Sequence, residues 1–128
     1  LAIDRLENRL ALAANTSFGT GPWGWAGALL PDNVIVKSAA TDSTGGVYVA
    51  GHFSGHPDFD VGIGTAILTS TGADGFVAKY SAIGALQWVT QIGGSQEEYP
   101  EGIAVDPSGN VLVTGSFRGA ATFGAGAG

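Results

Sequence analysis

The feature that most limits what this chain can fold into is an internal duplication. Residues 42–59 and 106–123 align without a gap at a constant offset of 64. Identities fall at Asp42/Asp106, Gly45/Gly109, Val47/Val111, Val49/Val113, Gly51/Gly115, Phe53/Phe117, Gly55/Gly119 and Phe59/Phe123. Upstream, Trp25 faces Trp88 at an offset of 63. A period of that size in a chain of 128 residues means two copies of one supersecondary unit. Such units bury their apolar faces against one another.

Periodicity says what each unit builds. Val47, Val49, Gly51 and Phe53 alternate with Tyr48, Ala50 and His52; Val111, Val113, Gly115 and Phe117 alternate with Leu112, Thr114 and Ser116. Period two with β-branched residues is a strand, and the apolar second side suits a sheet packed on both faces. A second short strand precedes each, roughly Val34–Thr41 and Gly102–Val105. The links are Asp-Ser-Thr-Gly-Gly and Asp-Pro-Ser-Gly-Asn, whose Gly and Asn supply the positive φ of a hairpin turn. A third strand, Gly75–Tyr80, leads through Ser81–Gly84 to a fourth, Leu86–Ile92, ended by Gly93-Gly94. The expected fold is all-β: β-propeller-like blades, each a four-stranded antiparallel meander, about two of them in an incomplete ring.

Composition agrees. Twenty-two glycines and a charged fraction of 12% suit short strands and tight turns. The absence of cysteine excludes disulfides, Cys-ligated zinc and a thiol nucleophile. Five basic against eleven acidic residues give a charge of −6, the wrong sign for nucleic acid. No apolar run approaches the ~20 residues of a membrane-spanning helix.

The strings PDFDVGIGTAILTSTGADGF (57–76), DGFVAKYSAIGALQWVTQIGG (74–94) and GIAVDPSGNVLVTGSF (102–117) resemble the bacterial β-propeller repeats called SBBP repeats. The likeness spans about residues 23–124 and departs at Val61, where many members carry proline. It implies a bacterial, exported, often very large parent protein at the cell surface or secreted, and no common enzymatic activity.

Residues 1–15 differ from the rest, holding Arg5 and Arg9 but no glycine. They read as a short amphipathic helix or arm. Alternatively, Leu6-Glu7-Asn8-Arg9-Leu10-Ala11-Leu12 resembles a sorting segment of exported planctomycete proteins. The expected organisation is 1–15 sorting or processing segment, 16–80 first repeat and 81–128 second repeat. The small residues at 124–128, with no terminating element in sight, suggest a chain cut at both ends.

Positions shared by the two copies answer to the fold. Gly51/Gly115 and Gly55/Gly119 ask for bulges, turns or close approach, and Asp42/Asp106 for aspartates that open turns. His52 and His56 have Ser116 and Ala120 as counterparts, so the fold does not require them, and they read as exposed blade-edge residues. Asp58, Asp60 and Asp74 are the oxygen ligands a calcium ion would take, although no complete calcium loop is present and the expectation is no cofactor and no resident metal. Glu97-Glu98-Tyr99-Pro100-Glu101 reads as a solvated connection. Trp25 and Trp88 read as packing between blades, leaving Trp23 as the candidate ligand-binding aromatic. No catalytic arrangement is found. The functional expectation is a non-enzymatic structural and interaction scaffold, whose partners are neighbouring blades, a second copy, protein or glycan. The alternatives are a carbohydrate-binding propeller and the non-catalytic part of a larger secreted enzyme. Alone, the 128-residue chain is expected to expose an apolar blade face and to associate or be marginally stable.

Overall fold

A computed structural model describes residues 30–127. The segment 1–15 and both Trp23 and Trp25 lie outside the described residues. Seven strands run in chain order: β1 (Val34–Thr41), β2 (Val47–Phe53), β3 (Asp74–Tyr80), β4 (Leu86–Gly94), β5 (Glu98–Val105), β6 (Val111–Phe117) and β7 (Ala121–Ala127). β1 to β4 form the antiparallel meander that the alternation predicts, and β5 and β6 form a separate hairpin. The fold is all-β, two incomplete propeller-type blades without a closed ring. β4 lies beyond residue 80 yet belongs to the first sheet, so the boundary of the sequence repeat is not the boundary of a sheet.

The second hairpin repeats the first position by position. β1 and β5, like β2 and β6, have bounds 64 residues apart. In β1 the register shifts between Val36 and Ser38, and in β5 between Pro100 and Gly102, leaving Lys37 and Glu101 as the extra residues of two equivalent bulges. A bulge reverses the side on which later residues point. Val34 and Val36 therefore share a side with Ala39 and Thr41, which is why β1 lacks clean alternation. Gly51 and Gly115 stand opposite these bulges. A Cβ on Gly51 would lie 1.9 Å from the Ile35 carbonyl oxygen, and one on Gly115 2.3 Å from that of Tyr99. Only glycine tolerates that approach of two backbones.

The first sheet is covered on both faces. On one, Val47, Val49, Phe53, Phe76, Ala78, Tyr80 and Val89 meet Leu30 and the connection 54–73, which contributes Phe59, Ala66 and Leu68. Rings of Phe53, Phe59 and Phe76 pack together there, Phe59 and Phe76 at 4.7 Å between centroids. On the other face, Ala50, Val77 and Ile92 meet Ile103, Val111, Val113 and Phe117 of the second hairpin. Pro100 wedges over Gly75, where a Cβ would come within 2.7 Å of its ring.

One expectation is corrected. The small residues near the end are not without an element: they form β7, which pairs antiparallel with β4 and makes the first sheet five-stranded. An open edge offers unpaired amides and carbonyls to any extended segment.

Candidate functional site

The two hairpin turns lie side by side and are built alike. The Asp42 amide bonds the Gly46 carbonyl, and the Gly45 amide bonds the Asp42 carbonyl; Asp106, Asn110 and Gly109 repeat both bonds. Gly45 and Gly109 close the turns at φ 85° and 84°. Asp42 Oδ1 accepts the amides of Thr44 and Gly46 at 2.9 and 2.8 Å. Asp106 Oδ1 accepts those of Ser108 and Asn110 at 2.9 and 2.8 Å. The repeated aspartate is thus the turn-opening acceptor that its position predicts.

Between the turns opens a groove of about 550 Å³, walled by Asp42, Thr44, Tyr48, Lys79, Asp106 and Ser108. The first turn carries more polar contacts than the second. Thr44 Oγ1 donates to Asp42 Oδ1 at 2.7 Å, and the Tyr48 hydroxyl donates to Oδ2 at 3.0 Å. Lys79 Nζ lies 3.4 Å from Oδ2 and 5.1 Å from the centre of the Tyr48 ring. Trp88 of β4 meets the ring of Tyr48 of β2 edge-on within the first sheet, with centroids 6.1 Å apart. Burial works to raise the Asp42 pKa, but the bonds from Thr44, Gly46 and Tyr48 outweigh it and hold the carboxyl below its ordinary value. Bonding to Tyr48, and then to Asp42, raises Lys79. Both groups therefore keep their charge through the neutral range.

The calcium candidates are dispersed in their bonding. Asp58 Oδ1 accepts the amides of Asp60 and Ala66 at 3.0 and 2.8 Å, and Asp60 Oδ1 that of Gly62 at 2.8 Å. Asp74, at the start of β3, accepts the Gln91 amide nitrogen at 2.5 Å. Among the described residues no three His, Cys, Asp or Glu side chains converge to hold a metal. Asp58 instead shapes the loop that covers the sheet, where the buried Tyr80 hydroxyl donates to the Phe59 carbonyl at 2.7 Å. Burial first, then the charges of Asp60 and Asp58, push the Tyr80 pKa upward.

Two readings of side-chain exposure are corrected. His56 is exposed, 3.0 Å from Thr69 Oγ1, but His52 is half-buried, stacked edge-on against Tyr99 at 4.9 Å. Its Nδ1 has no partner, and burial and Lys37 lower its pKa against the opposing pull of Glu101. The acidic stretch 97–101 is not a solvated connection throughout. Glu97 and Glu101 are exposed, but Glu98 opens β5 and is fully buried, with neither carboxylate oxygen bonded among the described residues. The signal that reveals it is the same offset of 64, which sets Glu98 over Val34.

The blades and turns together have the architecture of β-propeller repeats. The β-propeller repeat family called SBBP matches residues 87–116, from β4 to the end of the second hairpin. An uncharacterized WD repeat-containing protein of Acanthamoeba polyphaga mimivirus is 29% identical over 111 residues, covering 77% of this chain and 8% of the relative. The chain therefore spans a small part of that relative's length. No solved structure matches significantly.

Proposed function

We propose that this chain is a non-enzymatic repeat module of a larger, exported bacterial protein, acting as a scaffold that stacks against neighbouring blades and presents its turns to protein partners. The observation that carries this reading is the way the second hairpin docks. Val111, Val113 and Phe117 cover the side of the first sheet that bears Ala50, and they are the equivalents of Val47, Val49 and Phe53. The opposite side of β6, which corresponds to the side of β2 bearing Tyr48 and Ala50, is left open, with Leu112 56% exposed. One blade thus offers the next a face of repeated geometry. The fixed charges of the groove favour recognition over catalysis. Export and bacterial origin rest on the family resemblance. Among the described residues no helix is long and apolar enough to cross a membrane.

Sedimentation velocity tests the reading. The chain is expected to associate reversibly, and Leu112→Asp to weaken that association without unfolding the sheet. A strict monomer at every concentration, or association unchanged by Leu112→Asp, would speak against this face as the stacking surface.

A further inference from the structure

We propose that Glu98 is a proton-operated latch: its carboxyl sits uncharged between the β5–β6 hairpin and the first sheet, and releasing the proton loosens the hairpin. The position is built for an apolar residue. Its counterpart Val34 is buried in the first core, and Glu98 itself is 0% exposed, with neither oxygen hydrogen-bonded among the described residues. Its amide donates to the Ala73 carbonyl at 3.0 Å, tying the start of β5 to the start of β3. A Cβ on Gly94 would lie 3.1 Å from Glu98 Oε1 and 2.5 Å from the Ala120 carbonyl oxygen. The carboxyl therefore lies beside the end of β4.

The charges facing it all disfavour ionisation. β3 contributes Asp74, and the connection from β4 contributes Glu97; after burial, these two raise the Glu98 pKa. The end of β4 offers only Gly93 and Gly94, and the Gln91 amide is already given to Asp74 and the Thr69 carbonyl. Among the described residues Lys37 pairs with Glu101 and Lys79 with Asp42, and the charges acting on Glu98 are those of Asp74 and Glu97. An ionised carboxylate here is a buried charge without a counter-ion, one of the costliest arrangements in a protein interior. Because the folded pKa lies above the ordinary 4.5, the stability Glu98 contributes is complete below that value and is lost as pH rises through the folded one.

Amide hydrogen exchange, corrected for intrinsic rates, tests the latch in the whole chain from about pH 4 to about pH 8. Protection of the β5–β6 amides relative to β1–β4 is expected to fall with rising pH, by up to about tenfold per unit while the carboxyl titrates. Glu98→Val and Glu98→Gln are expected to remove that dependence. Should the Gln variant fail to fold, the Val variant, which copies Val34, carries the comparison. Protection in the wild type that ignores pH, or an undiminished slope in Glu98→Val, overturns the proposal. Calcium chloride that restores protection at the upper pH also overturns it, since a cation and not a proton would then hold the site.

Discussion

The β1–β2 and β5–β6 hairpins share strand bounds, bulge, turn and close glycine contact at a constant offset of 64, yet β2 is buried on both faces whereas β6 is half-buried on one and exposed on the other. What recurs is backbone geometry: the glycines opposite the bulges, the left-handed glycines and the turn aspartates. What differs is what the side chains meet. Tyr48 has become the exposed Leu112, Ala50 has become Thr114, and Val34 has become Glu98. A repeat therefore conserves its own hairpin and lets its interface vary, so the two copies should respond alike to backbone lesions and differently to interface lesions.

The largest effect should come from Gly51→Ala. A new Cβ only 1.9 Å from a backbone carbonyl oxygen forces the two strands apart in the middle of a doubly covered sheet. Overpacking costs typically ~1–3 kcal/mol, and the upper end or beyond is expected here because the obstacle is backbone and cannot rotate away. Gly115→Ala meets the equivalent obstacle at 2.3 Å. Its damage should stay in β5–β6, with amide protection of β1–β4 preserved. Equal global losses in denaturant melts would show that both hairpins unfold as one cooperative unit.

Next in size is the turn aspartate. Asp42→Ala removes the acceptor of Thr44, Gly46 and Tyr48 and strands Lys79 beside a gap. Hydrogen bonds to a charged group contribute ~1.5–3 kcal/mol, so a loss of about 2 kcal/mol is expected in thermal melts. Asp106→Ala, whose partners are exposed, should lose clearly less. The pH profile sharpens the contrast. Since the folded Asp42 pKa lies below the ordinary 3.8, its contribution is present above that value and fades as pH falls through the folded one. Asp42→Asn should therefore flatten the acid limb of the stability curve.

How much of this was legible follows from what each residue's signal depends on. The bounds of β2, and the existence of β1, β3 and β4, are written in local alternation and turn residues. The trio of Asp42, Tyr48 and Lys79 is not, because it needs Tyr48 opposite Lys79, a register set across the connection 54–73. β7 carries no side-chain pattern of its own; the open edge of β4 defines it. Glu98 misleads because three glutamates within five residues look solvated, whereas burial depends on which face of the strand each occupies. The duplication held that information for Glu98, since Val34 marks the buried position.

The smallest effect tests the link between copies. Lys37 and Glu101 are the extra residues of the two bulges, and their side chains meet across the interface at 3.4 Å. A bulge turns one residue away from its own ladder, so each repeat projects this position towards its neighbour. The side chains remain 38% and 53% exposed, where water screens the pair and ordering two long side chains offsets much of the attraction. A double-mutant cycle with Lys37→Ala and Glu101→Ala should give a coupling of about 0.5 kcal/mol, within the ~0–1 kcal/mol of surface pairs. It should vanish in ~1 M salt, where the screening length falls to ~3 Å. Exchanging the two charges should restore the coupling, because geometry places the pair and the sign of each partner is free. A coupling well above 1 kcal/mol that survives salt would mean that the pair is desolvated as the blades close, and the bulge would then help fix how one repeat docks on the next.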